Sequence, residues 1–211
     1  MKRETRQFNF EIRAEREENS GVLTGRPIVY DSVTDIGWFD EIIERGALIG
    51  TDLTDVRFLV NHDISRIPLA RSRRNNGNST MQLEVDENGL GIRVQLDVEN
   101  NAEAKSLYSA VERGDISGMS FMFFVDENNE KWEGLDSEHP LRRIQKIDSV
   151  LEVSAVTFPA YSETSIEVAK RDKAALDSAR LALDKARERS QAEKADINKL
   201  ELWKARNKNL F

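Results

Sequence analysis

The pattern of this chain predicts a mainly β protein with helices, an α+β fold built on a closed or nearly closed β barrel flanked by short helices, followed by a C-terminal helical tail. Three observations carry the prediction. Short apolar–polar alternations recur up to about residue 165, the period-two signature of half-buried strands. Only two segments within that stretch show helical spacing. Near residue 165 the composition changes: Ala, Lys, Asp, Glu and Arg take over, and Gly and Pro disappear. Many strands with few helices are most simply packed by closing the sheet on itself. Residues 1–165 therefore read as one domain and residues 166–211 as a charged helical tail.

The elements follow in order. Phe8, Phe10 and Ile12 alternate with polar residues and read as a strand. Gly21 to Tyr30 gives a second, in which Gly25 and Pro27 mark a bulge or an edge. Phe39, Ile42, Ile43 and Ala47 have mixed spacing, which predicts a short helix ending near Gly46. Val56 to Asn61 is an apolar run of strand length, and Pro68 to Arg71 supplies a hairpin partner. Met81, Leu83 and Val85 alternate, as do Leu90, Ile92, Val94, Leu96 and Val98; Asn88-Gly89 between them is a strong hairpin signal. Asn101 to Arg113 carries an apolar face of Ala104, Leu107, Tyr108 and Val111, with Asn101 as cap and Gly114 as stop. Ile116 to Val125 and Val150 to Phe158 are further strands, separated by a polar, turn-rich stretch, Asp126 to Pro140, that reads as a mobile loop. In the tail, Leu176, Ala179, Leu183 and Ala186 form a weak coiled-coil seam that breaks at Ser190 and Glu193.

Composition removes several classes of function. With 39% hydrophobic and 33% charged residues the chain is globular but strongly solvated. A net charge of −7 argues against nucleic acid as a partner, because phosphate neutralisation needs a basic face. The local cluster Arg66, Arg71, Arg73 and Arg74 reads as a solvated loop or as a contact for an acidic peptide. No window approaches the roughly 20 apolar residues of a membrane span, and the basic start Met1–Arg6 lacks an apolar region behind it, so neither a membrane partner nor a secretory signal is expected. Cysteine is absent, which excludes disulfides, a thiol nucleophile and thiolate metal sites. With only His62 and His139 a multi-histidine metal centre is not expected either, and no cofactor is.

Three segments can carry chemistry. His62 follows the apolar run ending at Val60, where it is either a turn residue or a base at a strand end. Ser117 and Ser120 lie in or beside a strand rich in Met and Phe; each either bonds to backbone or faces a groove as a nucleophile activated by a base. Glu152 stands inside an apolar strand. If Leu151, Val153 and Ala155 face one way, then Glu152, Ser154 and Val156 face the other. Glu152 is then an edge-strand surface residue or a half-buried carboxylate in need of a partner such as an imidazole N–H.

At this point the chain resembles the prohead protease family of tailed phages, whose fold and mechanism are related to those of the herpesvirus assemblins. The matching segments are Arg26-Pro27-Ile28-Val29-Tyr30-Asp31, Glu41 to Ala47, Asn61-His62-Asp63, Asn88-Gly89-Leu90, Arg113 to Phe121, and Leu151-Glu152-Val153-Ser154 through Phe158-Pro159-Ala160. They cover roughly residues 20 to 165 in the family's order. The resemblance implies a serine endopeptidase that cleaves capsid and scaffold segments, and often itself, inside the immature shell in the host cytoplasm. It implies His62 as base, Ser120 as nucleophile and Glu152 as third member, with Asp148 as competitor for that last place. The major capsid protein becomes the partner, the tail a scaffold-like or delivery segment that docks with it, and a homodimer follows by analogy with the assemblins. One position departs from the family: Met122 stands where Gly is common, two residues after the nucleophile.

Two other readings stand beside this one. A catalytically inactive assembly or scaffolding protein on the same fold is favoured by Met122. Another serine hydrolase, such as an esterase, is disfavoured because the chain lacks the Gly-x-Ser-x-Gly elbow and interleaved helices of an α/β-hydrolase.

Overall fold

The computed structural model describes residues 2–8, 12–17, 20–157 and 173–207. Thirteen strands fall into three open sheets, with two α-helices among the described residues. The first sheet has β1 (Lys2–Phe8), β10 (Gly118–Val125), β13 (Ser149–Val156), β6 (Asp55–Val60) and β7 (Ala70–Arg73), in that order across the sheet. The second has β2 (Ile12–Glu17), β3 (Ser20–Val29), β9 (Gly89–Leu96) and β8 (Met81–Asp86). The third has β11 (Glu130–Glu133), β12 (Leu141–Ile144), β5 (Asp40–Ile43) and β4 (Thr34–Asp35). All neighbours run antiparallel except β13 with β6 and β12 with β5.

The mainly β, α+β class is as expected, but the closed barrel is not found. Closure would need the edge strands β1 and β7 to pair onward. Instead β1 turns its inward side chains, Glu4 and Arg6, to charges on the third sheet, and the chain opens a new sheet at Ile12. The segment Phe8, Phe10, Ile12 is accordingly not one strand: Phe8 ends β1, Ile12 begins β2 in a different sheet, and Phe10 lies outside the described residues.

The hairpin β8–β9 forms at the Asn-Gly signal, with Asp86 opposite Gly89. Gly89 has φ +137°, and a Cβ there would stand 2.0 Å from the Ile28 carbonyl oxygen, so only glycine fits. The predicted irregularity in β3 is a register shift between Gly25 and Ile28, where Pro27 has no N–H to offer the ladder. The helix α1 (Ala102–Glu112) starts at Asn101, whose side chain accepts from the backbone N–H groups of Glu103 and Ala104, and buries Ala104, Leu107 and Val111. Met119, Phe121, Phe123 and Val125 of β10, Val150, Val153 and Ala155 of β13, and Val56 and Phe58 of β6 belong to one buried cluster with Leu23, Ile28, Leu90 and Ile92 of the second sheet.

Two local expectations fail for identifiable reasons. Phe39 to Leu48 is not a helix; Asp40–Ile43 is β5, and the chain then turns through Gly46 at φ +88°. A short apolar run fits either period, and here parallel pairing with β12 decides. The stretch 126–140 is not an open loop: Asp126 caps a single 3-10 turn and residues 130–133 form β11 on β12.

A buried ion network joins the first and third sheets. Arg6 donates to both oxygens of Glu41 at 2.6 and 2.8 Å and to Glu4 at 2.5 Å. Arg142 donates to both oxygens of Glu4 at 2.5 and 2.7 Å, to Glu41 at 2.9 Å and to Glu130 at 2.7 Å. Arg6, Arg142, Glu4 and Glu41 are each no more than 2% exposed. Burial alone would lower the guanidinium pKa values, but Glu41 and Glu4 outweigh it, and both arginines are held above their ordinary value.

The second helix, α2 (Lys173–Arg206), caps this region. Ala179 and Leu183 of the predicted seam bury against Phe39, with Ile36, Trp38, Trp132 and Leu135 around them. Ala182 and Ala186 are buried as well; the side chain of Leu176 lies outside the described residues. Arg189 reaches Glu130 at 2.8 Å and so joins the network. Among the described residues no helix is long and apolar enough to cross a membrane.

Arg142→Met removes one cation and leaves Glu4, Glu41 and Glu130 under-compensated. Urea unfolding should show a loss of about 3–5 kcal/mol. A loss under about 1 kcal/mol would mean that the network contributes little.

Candidate active site

The site is built at one end of the central strands of the first sheet. The parallel pair sets Leu59 beside Ser154 and Val60 beside Ala155, so β6 ends where β13 ends. The antiparallel pair sets Ser120 opposite Ser154 and Met122 opposite Glu152. Directly opposed side chains share a face. Ser120, Glu152 and Ser154 therefore project together, away from the cluster formed by Met119, Phe121 and Phe123. The register skips Leu151 between Met122–Glu152 and Phe123–Val150. Leu151 is thus a bulge residue, and Val150, not Leu151, joins Val153 and Ala155 in the core.

His62 is brought over this face by the backbone. Asn61 and His62 follow β6 with φ of 52° and 59°, two successive left-handed residues that are not glycine. Such conformations are uncommon and persist where the surroundings hold them. Here Asn61 N–H donates to Ala155 O at 3.0 Å, Asn61 Oδ1 accepts from Thr157 N–H at 3.0 Å, and His62 N–H donates to Ser154 Oγ at 3.1 Å. Asp63 accepts from the Ser65 hydroxyl and N–H, which hold its carboxyl below the usual carboxylate range and brace the far side of the turn.

The structure brings the three expected residues together. His62 Nδ1 is hydrogen-bonded to Glu152 Oε1, and His62 Nε2 lies 2.5 Å from Ser120 Oγ. Glu152 is 2% exposed and Ser120 fully buried. The reading of Glu152 as an edge-strand surface residue is therefore replaced, since β13 is the middle strand of its sheet. Asp148 does not meet His62; it accepts from Asp126 N–H and Asn129 Nδ2 and fixes the 3-10 turn. Ser117 lies exposed ahead of β10. His139 lies in the bend between β11 and β12, 3.1 Å from Asp40 and 3.8 Å from Asp35. In the arginine cluster, Arg71 is paired with Asp55, and Arg66 with Asp63 and Glu103.

Two partners of the site are not among the residues expected to carry chemistry, although the strand alternation puts Ser154 on the Glu152 face. Ser154 Oγ donates to Glu152 Oε2 at 2.6 Å. The Ser120 hydroxyl also lies in donating reach of the Arg6 carbonyl, at 2.5 Å, because β1 runs along β10 with Gln7 opposite Ser120. One hydroxyl proton serves one acceptor at a time. It goes either to the Arg6 carbonyl or to the imidazole, and only the second direction leads toward a nucleophilic oxygen. A cavity of about 180 Å³ is lined by Leu59, Val60, Asn61, Asp63, Arg66, Ile67, Leu69 and Glu103, and so by both chain neighbours of His62.

An imidazole set between a serine hydroxyl and a buried carboxylate is the arrangement by which serine hydrolases make an acyl-transfer nucleophile. The chain matches the caudovirus prohead serine protease family over residues 8–178, most of its length, and belongs to that family. Among solved structures, the bacteriophage T4 capsid assembly protease is similar over 75% of this chain and 100% of that chain, at 9% identity and a TM-score of 0.39. No curated protein matches the chain.

The Nδ1–Glu152 contact predicts a far-downfield imidazole N–H resonance in the proton NMR spectrum, assignable to His62 in a His139→Gln background. Glu152→Gln should abolish it while the fold is kept. Its persistence in that variant would show that Glu152 does not hold the ring.

Proposed function

We propose that this chain is a serine endopeptidase that cleaves capsid and scaffold proteins during prohead maturation, inside the immature shell in the host cytoplasm. The observation that carries the reading is the unbroken contact from Ser120 through His62 to Glu152. Ser120 Oγ attacks a peptide carbonyl as His62 Nε2 takes its proton. Glu152 keeps the ring proton on Nδ1 and stabilises the imidazolium as it forms. Breakdown of the tetrahedral adduct returns the proton to the leaving amine, and water then releases the acyl group by the same route. In this reading a substrate side chain enters the cavity lined by Asn61, Asp63 and the exposed Ile67.

Residues 166–211 fit a delivery segment that docks with the major capsid protein. The first part of α2 packs on the body, so the proposed division at about residue 165 is one of function and not of packing. A homodimer remains part of this proposal through the assemblin analogy alone.

A second reading, an inactive assembly protein on the same fold, draws on the complete burial of Ser120 and its hydroxyl's contact with Arg6. The separating experiment is co-expression with the major capsid protein, read as intact masses. Wild type should shorten the capsid protein, and Ser120→Ala and His62→Ala should leave it at full length, a loss of at least roughly 10³-fold in rate. Equal shortening by Ser120→Ala would sink the nucleophile assignment; full-length capsid protein in every case would favour the inactive reading.

Truncation after Ser190 removes the exposed end of α2 and leaves the buried alanines in place. It should leave stability within about 0.5 kcal/mol by urea unfolding but lower incorporation into proheads. Full incorporation of the truncated protein would remove the delivery role from that end.

A further inference from the structure

Beyond the three residues so far given chemical roles, one more side chain is built into the site. Ser154 is fully buried, and its hydroxyl has two partners. It donates to Glu152 Oε2 at 2.6 Å and accepts from the backbone N–H of His62 at 3.1 Å. One group thus touches both the carboxylate and the main chain of the histidine. We infer that Ser154 is a positioning residue for the acid–base pair, an inference that rests on reading Ser120, His62 and Glu152 as the catalytic set.

The argument is one of hydrogen-bond supply. A buried carboxylate needs donors to both oxygens. His62 Nδ1 serves Oε1 and Ser154 serves Oε2, so the carboxylate is held from two sides and cannot rotate away from the ring. The second bond does different work. His62 sits at φ 59°, which a residue with a Cβ adopts only when held, and the Ser154 oxygen is the acceptor that takes its N–H. The register makes this possible: Ser154 lies directly opposite Ser120 and beside Leu59, so its hydroxyl faces the same space as the nucleophile. Ser154 is not itself a second nucleophile. Its proton is directed at Glu152, whereas His62 Nε2 faces Ser120.

The test compares Ser154→Ala, which deletes the hydroxyl, with Ser154→Thr, which keeps it. The full chain is labelled with a fluorophosphonate probe across a pH series, with circular dichroism to confirm the fold. Ser154→Ala should label roughly 10- to 100-fold more slowly, the range for groups that orient an active side chain. Its pH midpoint should move away from that of wild type, and Ser154→Thr should restore both. A second measurement needs no turnover: the downfield His62 resonance should shift or broaden in Ser154→Ala and return in Ser154→Thr. Wild-type rate, midpoint and resonance in Ser154→Ala would overturn the inference. So would equal impairment of both variants in a native fold, since that marks packing and not the hydroxyl. Failure of the wild type to label, or labelling that survives Ser120→Ala, would instead sink the catalytic reading, and the resonance would still decide whether Ser154 orients His62.

Discussion

The structure depends on the ion network buried between its first and third sheets. Three carboxylates, on Glu4, Glu41 and Glu130, meet the guanidinium groups of Arg6, Arg142 and Arg189, and four of these six residues are almost without exposure. Such a cluster is a poor source of stability, because its buried charges give up their hydration. Its force lies in what it forbids. Once the charges are buried, none can leave without stranding the others, so the elements bearing them are fixed together. These are an edge strand of the first sheet, three strands of the third and the final helix. Arg6 also lies 5.6 Å from the Phe123 ring centroid and Arg142 5.7 Å from that of Trp132, which ties the network to the apolar core beside it.

The face of the candidate site inherits this rigidity. Because Arg6 is held, β1 is held along β10, and its main-chain carbonyl stands within reach of Ser120. The other walls are strand registers. One parallel and one antiparallel pairing place the serine, the carboxylate and the histidine turn on one side of a single sheet, and one bulge at Leu151 keeps Glu152 on that side while Val150 stays in the core. Met122 stands opposite Glu152 and is buried, so it closes this face beside the carboxylate.

How much of this was legible in the sequence depended on whether a residue's partners were near or far. The hairpin at Asn88-Gly89 and the helix from Asn101 to Gly114 are written in local chemistry and were read correctly. The strand Lys2–Phe8 was not, because its inward positions are Glu4 and Arg6, which look solvent-facing until their partners some 35 to 138 residues away are known. Leu141–Ile144 hid for the same reason behind Arg142, and Asp40–Ile43 passed for a helix because four residues cannot separate two periods. In the site, His62, Ser120 and Glu152 were visible as candidates from their places in or after apolar runs. The choice between Glu152 and Asp148 needed the register, and the contacts of Ser154 and of the Arg6 carbonyl needed three-dimensional placement, since a backbone carbonyl has no letter of its own.

The last helix carries a geometric consequence. Its buried residues end near Ala186, while residues 191 to 206 are exposed throughout. At 1.5 Å per residue that end reaches about 24 Å past Ser190. A flexible strand of the same length would let an attached body wander through a whole sphere around the enzyme, near and far alike. A rod anchored at its base confines that body to a thin shell at one radius. A partner that bound the exposed Ile197, Leu200 and Trp203 would thereby be kept at a fixed distance from the residues that anchor the helix.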